Sequence, residues 1–436
     1  MFDAFDADAL PRALLAAVQL PDVPDADVAA SLAELYRLAK TLGLAVIDRQ
    51  VQKRPHFDAA TYLGPGKVEE ISRLLEADRE AHPGRSQVVL VDHEITPSQA
   101  RQLGKTVKAE VLDRTAVILE IFHRHARSRE ARAQVEIVRL AYMAPRIREL
   151  NKGRGGRQQG GIGAKGAGES HLELDRRKVR DRIAELRADL ADIERERNTQ
   201  RSRRQDLRRV ALVGYTNAGK STLMRALTDS EVYVADKLFA TLDTTVRALH
   251  PPVQPRILVS DTVGFIRNLP HDLVASFKST LDETLESSLL LHVVDASDPD
   301  FEAQMATTHG VLHEIGAGAT PVRLVLNKCD RVGDPARLRA LQDGYPDAWR
   351  ISAKSPDDVA RVHAGIVAFF QGAVEEAWIP LRHDQGAVRS MLFATCTVLQ
   401  EQYDESGGRC RVSAPREVLD RVRSLEIGRA SCRERV

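Results

Sequence analysis

The chain has 436 residues, 43% apolar and 29% charged, which is room for about two to four domains and too ordinary a composition for a disordered or fibrous protein. Lys and Arg number 63 against 62 Asp and Glu, so net charge excludes nothing until the charges are placed along the chain. The N-terminus is acidic where a secretory signal would be basic and then apolar, and no apolar stretch of roughly 18 residues occurs, so the expectation is a cytoplasmic protein without a membrane span.

Residues 1–40 carry apolar residues at three and four spacings (Leu10, Leu14, Leu15, Val18, then Leu32, Leu35, Leu38) and are read as helical. Strand-like runs at Leu44–Ile47, Val88–Val91 and Val111–Leu112 then alternate with helical ones at Lys67–Arg79 and Ser98–Leu103. This predicts an N-terminal α/β domain over 1–113. Two long helical patterns follow, from Arg114 to Ala144 and from His171 to about Arg208, the second with Leu172, Val179, Ile183, Leu186, Leu190 and Ile193 on one seam. They flank one loop, so an antiparallel helical hairpin is expected over 114–207.

Residues 121–209 hold 24 Lys and Arg against 13 Asp and Glu, a net of +11, which leaves −10 for the rest. The loop Asn151–Gly168 adds eight glycines and four basic residues, a cationic tip able to track phosphates closely, and contact with nucleic acid is the expectation. Within it, Gly161–Gly166 matches GxGxxG but follows a polar stretch, not a strand, so no dinucleotide site is read there. Gly64-Pro-Gly-Lys67 lacks the Ser or Thr of a phosphate loop and is expected to be a turn.

From Val210 to about Gly372 apolar strands alternate with helices, the pattern of a doubly wound parallel sheet, and a nucleotide-binding domain is expected over 208–372. The strand Val210–Val213 leads into Gly214-Tyr215-Thr216-Asn217-Ala218-Gly219-Lys220-Ser221, a full GxxxxGK[ST]. Its backbone N–H groups can turn onto phosphates, Lys220 can reach the β/γ oxygens, and the Ser221 hydroxyl can bind Mg²⁺. Asn327-Lys328-Cys329-Asp330 stands about 107 residues after Lys220 and selects the base. The Asp330 carboxylate can accept two hydrogen bonds from guanine, which adenine does not offer. Asn327 would brace the base edge and the phosphate loop, Lys328 would lay its stem over the ring, and the backbone of Ser352-Ala353-Lys354 would donate to O6.

Between these motifs, Asp261-Thr262-Val263-Gly264 is a DxxG in which Asp261 would meet Mg²⁺ through water and the Gly264 N–H would sense the γ-phosphate. A threonine from Phe239-Ala240-Thr241-Leu242-Asp243-Thr244-Thr245 should complete the metal shell, and spacing leaves Thr241, Thr244 and Thr245 open. Phe265 follows Gly264 where a Ras-like GTPase has a glutamine; phenylalanine cannot hydrogen-bond the attacking water, so hydrolysis is expected to be slow alone and accelerated by a partner. Residues 373–426 are expected to form a small C-terminal α/β domain. Cys329, Cys396, Cys410 and Cys432 are too dispersed for a metal clip and are read as packing residues, and Ile427–Val436 resembles a translated sequencing adapter and is read as a non-native tail.

With these residues placed, the chain resembles the HflX-type GTPases over roughly residues 40–425. The resemblance is carried by Tyr62–Ile71, Val91–Glu94 with Pro97–Gln99, Val111–Thr115, Arg127–Ala131 with Gln134–Glu136, and Gly160–Glu169 with Leu172–Glu173 and Asp175–Arg177. It departs at Ser170–His171, where Thr-Gln is usual, and at Thr244, where proline is common. The resemblance implies an N-terminal α/β domain with a helical hairpin, a central P-loop GTPase domain and a small C-terminal domain. It implies Mg²⁺ as cofactor with Thr241 as the metal-binding threonine, and Lys220, Thr241 and Gly264 as the catalytic set. It further implies a monomer that binds the large ribosomal subunit and ribosomal RNA, with no DNA and no stable membrane insertion, and whose GTP form splits stalled or idle ribosomes, often in stress. A checkpoint in ribosome assembly or RNA modification is the alternative; a switch that binds only proteins has no need of the cationic arm.

Overall fold

A computed structural model describes residues 10–152, 167–201, 208–229, 238–239, 241–242, 244–254, 256–267, 269, 285–371, 374–381, 389, 392–393, 396–404, 407–415 and 419. The chain divides into two compact units. The first comprises Met1–Asn198, Ala235–Asp243 and Gly264–Ser279, and the second comprises Thr199–Val234, Thr244–Val263 and Thr280–Val436. Among the described residues no helix is long and apolar enough to cross a membrane.

The first unit is built on a parallel sheet of order β2-β1-β3-β4, with β1 Arg12–Gln19, β2 Ala45–Lys53, β3 Gln87–Val91 and β4 Glu110–Asp113. Leu10–Val18 is not helical: Leu14, Leu15 and Val18 lie on β1, whose residues from Ala13 to Gln19 are all buried. A strand covered on both faces shows no alternation, so over a short run its pattern cannot be told from a buried helix. The second stretch does form a helix, α1 Asp25–Thr41, with Leu32, Leu35 and Leu38 buried.

Helix α2 Pro65–Ala81 begins directly after Gly64, so the glycine-proline stretch read as a turn is its N-terminal cap. Helix α3 Pro97–Val107 is opened by a reciprocal Thr96–Gln99 capping box. One core packs Leu14, Val18, Val89 and Val91 of the sheet against Ile71 and Leu75 of α2 and Leu103 and Val107 of α3.

The first long helical pattern is two helices, α4 Arg114–His125 and α5 Arg129–Lys152. The Asp113 side chain caps α4 by accepting the Ala116 N–H (2.9 Å). Helix α5 runs through Pro145, although the residue before a proline usually ends a helix. Its far side is pinned to Asp113, which accepts from the Tyr142 hydroxyl and from Arg146 Nη2 (2.8 Å); Arg146 also donates to Ile95 O (3.0 Å) and lies over the Tyr142 ring. Helix α6 spans Ala167–Arg201. The loop between α5 and α6 lies largely outside the described residues. Arg129 at the opening of α5 pairs with Asp189 well along α6 (3.2 Å), as antiparallel neighbours should. On α6, Leu186 is buried and Val179, Ile183, Leu190 and Ile193 are half-buried among exposed charges, which is the expected seam.

The second unit holds a six-stranded sheet, β5 Arg208–Val213, β6 Thr245–Ala248, β7 Ile257–Asp261, β8 Leu289–Asp295, β9 Val322–Asn327 and β10 Trp349–Arg350, in the order β10-β9-β8-β5-β7-β6. Five strands are parallel and the edge strand β6 is antiparallel to β7, so the doubly wound sheet is mixed at one edge. Helices α7 Lys220–Thr228, α8 Phe301–Glu314, α9 Pro335–Gly344 and α10 Pro356–Gln371 cover it. Beyond α10, β11 Val374–Leu381, β12 Thr397–Asp404 and β13 Gly407–Pro415 form an antiparallel sheet of order β11-β13-β12. Cys396 and Cys410 are buried in its core beside Ile379 and Val412, as packing cysteines. Residues 427–436 lie outside the described residues.

Candidate nucleotide site

In the second unit the neighbouring strands β5 and β7 run parallel with Leu212 opposite Asp261, so their carboxyl ends bring the Gly214–Ser221 loop and the start of Asp261–Gly264 together. Thr262 Oγ1 donates to Leu212 O (2.7 Å) and locks that alignment. Two loop glycines are dictated by sterics. Gly214 has φ +145°, and a Cβ there would lie 2.1 Å from Val293 O; Gly219 has φ +98°, and a Cβ there would lie 2.2 Å from Asn327 Nδ2.

The Lys220 ammonium folds back over the loop and donates to Gly214 O (3.0 Å) and Tyr215 O (2.8 Å). Burial pushes its pKa down to about 8, with Asp261 opposing that shift and Lys328 adding to it. Ser221 Oγ donates to Asp261 Oδ2 (2.6 Å). A hydroxyl and a carboxylate oxygen side by side at the foot of a helix are hard donors that suit a small divalent cation shared with phosphate oxygens.

The Asn327–Asp330 and Ser352–Lys354 segments converge on the same loop. Asn327 is buried; its Nδ2 donates to Ala218 O (2.8 Å) and its Oδ1 accepts the Ala353 N–H (2.9 Å), so one side chain ties the phosphate loop to Ser352–Lys354. Lys328 Nζ donates to Asn217 O (2.6 Å). Asp330 lies exposed in the short 3-10 turn Cys329–Arg331. Thus Gly214–Ser221, Asp261, Asn327–Asp330 and Ser352–Lys354 all belong to one unit. Phe239, Thr241, Leu242 and Gly264 are counted with the first unit, where the Phe239 ring meets Phe122 edge-on (centroids 4.5 Å) and the Leu238 N–H donates to Thr41 Oγ1 (3.2 Å). Ala240 and Asp243 lie outside the described residues. Phe265, also in the first unit, is 2% exposed and packs as a core residue.

Three side chains escaped the sequence reading because they lie outside any contiguous motif. Asp295 accepts from Lys328 Nζ (2.7 Å). Asp358 accepts the Ser352 N–H (2.7 Å); burial raises its pKa, but that bond and Arg361 outweigh burial and hold it below the usual carboxylate range. His292 on β8 lies opposite Val213, is 1% exposed, and places Nδ1 3.2 Å from His309 Nε2. Among the described residues its Nε2 has no hydrogen-bond partner. Burial first, then His309 and Lys220, push His292 down to about 3, whereas an unfolded histidine titrates near ~6.5. The stability gained by keeping it neutral is therefore complete above about pH 6.5 and lost as pH falls toward the folded value. Between pH 7.5 and 5, a His292→Leu variant is expected to lose about 2 kcal/mol less stability than the parent, measured by urea unfolding. Equal losses would refute the assignment.

A glycine-rich loop between a parallel strand and a helix, a carboxylate on its hydroxyl, and an NKxD motif braced to an SAK loop define a P-loop GTPase, an enzyme that hydrolyses GTP. Family models match in agreement: "GTP-binding GTPase N-terminal" over residues 29–123, "GTP-binding GTPase Middle Region" over 125–204 and "50S ribosome-binding GTPase" over 209–328. The GTPase HflX of Gluconacetobacter diazotrophicus is 52% identical, covering 95% of this chain and 97% of its own, and that of Escherichia coli is 37% identical over 93% of each. The chain belongs to the HflX family of GTPases. Among solved structures, a GTP-binding protein from Sulfolobus solfataricus in complex with GDP is 23% identical with a TM-score of 0.43, covering 82% of this chain and all of that one.

Proposed function

We propose that this GTPase is a ribosome-dissociating factor: in its GTP form it binds the large ribosomal subunit and separates stalled or idle ribosomes in the cytoplasm, with the α5–α6 arm approaching ribosomal RNA. The observation that carries this reading is the net +11 of residues 121–209, a cationic arm on an otherwise acidic chain. The family model over the nucleotide domain, described as a 50S ribosome-binding GTPase, supports the same partner.

In this reading the backbone of Gly214–Ser221 holds the phosphates and Lys220 supplies the charge at the β/γ oxygens. Asp330 and the Ser352–Lys354 backbone select guanine, and the Gly264 N–H reads the γ-phosphate. Ser221 and Thr241 would hold Mg²⁺ directly and Asp261 through water; when bound, the ion neutralises charge on the β- and γ-phosphates. Phe265 is a buried hydrocarbon and orients no water, so turnover is slow until a partner completes the site.

Sedimenting intact ribosomes with the protein and a non-hydrolysable GTP analogue tests this: free subunits are expected, and unchanged monosomes would favour the assembly checkpoint instead. Deleting residues 153–168 is expected to weaken ribosome binding at least about tenfold and to leave GDP affinity near normal, and parent binding is expected to fall steeply between ~50 and 200 mM salt. Binding that survives the deletion would reduce the loop to a linker.

A further inference from the structure

Lys328 leaves β9 with φ +60°, and its ammonium is held at two points, Asn217 O (2.6 Å) and Asp295 Oδ2 (2.7 Å). Asp295 ends β8, and the parallel register sets it opposite Asn327, with the Ala296 N–H donating to Asn327 O (2.9 Å). The carboxylate is itself fixed: Oδ1 accepts from Ser297 N (3.0 Å) and Ser297 Oγ (2.6 Å), which leaves Oδ2 aimed at the ammonium. The Lys328 and Asp295 side chains are 14% and 16% exposed, so solvent screens their charge-assisted bond only weakly. Asp295 lies 33 residues before Lys328 and belongs to none of the nucleotide motifs.

We propose that Asp295 is a positioning residue for the nucleotide site: it holds Lys328 stretched from the end of β8 to the phosphate loop, so the lysine stem is already laid where the guanine ring will rest. Without Asp295, a four-carbon chain with three donors would keep one backbone acceptor and regain its rotamer freedom. This rests on the reading that Lys328 touches the base, and the test separates the two.

Release of fluorescent GDP is followed by stopped flow in Asp295→Ala, Lys328→Ala and the double variant. Asp295→Ala is expected to speed release about tenfold. Because its effect runs through the lysine, the double variant should release no more than about twofold faster than Lys328→Ala alone. Asp295→Asn keeps an oxygen for Ser297 but loses the charge, and should release about threefold faster; it carries the test if the alanine variant unfolds. Release within twofold of the parent in Asp295→Ala, or in Asp295→Asn where the alanine variant unfolds, or full additivity in the double variant, overturns the proposal. Unchanged release in Lys328→Ala overturns the reading of the base site and the proposal with it.

Discussion

Replacing Asp330 by asparagine is expected to weaken GDP and GTP binding at least about a hundredfold and to let xanthine nucleotides bind in their place. In the proposed base site the carboxylate would accept from both N1–H and the 2-amino group of guanine, and each hydrogen bond to a charged group contributes ~1.5 to 3 kcal/mol. Asparagine keeps one acceptor and turns a donor toward the amine. Xanthine carries a carbonyl where guanine has that amine, so the new donor finds an acceptor there. Asp330 is exposed, and the exchange should leave the fold intact. Competition titrations with GDP, XDP and ADP on the parent and the variant measure this. GDP affinity within threefold of the parent would remove Asp330 from base selection.

Arg114→Ala should cost about 3 to 5 kcal/mol in the first unit. The guanidinium stands at the first turn of α4, buried between Glu34 and Asp92 (2.9 Å to the latter), with Ser31 Oγ also donating to Asp92 (2.7 Å). The side chains of Arg114, Glu34 and Asp92 are 3%, 3% and 5% exposed. Removing the cation leaves the buried Glu34 and Asp92 carboxylates without the guanidinium charge between them. The penalty is therefore the uncompensated charge rather than the net contribution of the pairing. Adding Glu34→Gln and Asp92→Asn to the variant should recover part of the loss. Hydrogen exchange of the β1 and β3 amides reads the unit's own opening free energy, and a loss below about 1 kcal/mol would show that the carboxylates find other partners.

Much of the candidate nucleotide site was legible because its motifs are contiguous in the chain. A glycine between a strand and a helix, followed by Lys220 and Ser221, is contiguous in the chain, as are Asn327–Asp330 and Ser352–Lys354. The steric need for Gly214 and Gly219 comes from elsewhere, from Val293 O and Asn327 Nδ2. Asp295 and His292 were not legible because only the register of β8 sets them opposite Asn327 and Val213, and Asp358, six residues past Ser352 on α10, because no spacing marks its side chain as the acceptor of the Ser352 N–H. The choice of threonine was also beyond spacing, since Thr241, Thr244 and Thr245 are equivalent donors in the sequence.

By itself the sequence determined the class of the nucleotide fold, the placing of its motifs, the pattern of charge along the arm and the apolar seam of α6, because each is written in neighbouring residues or in a helical period. Only the tertiary structure decided that Leu14–Val18 is a central strand, that α5 continues past Pro145, and that Phe239 and Phe265 are counted with the N-terminal unit while the phosphate loop belongs to the other. Burial on both faces erases the period that separates strand from helix, and contacts such as Arg146 with Asp113 outweigh the local preference of the backbone. Those energies come from residues distant in sequence, so no window along the chain contains them.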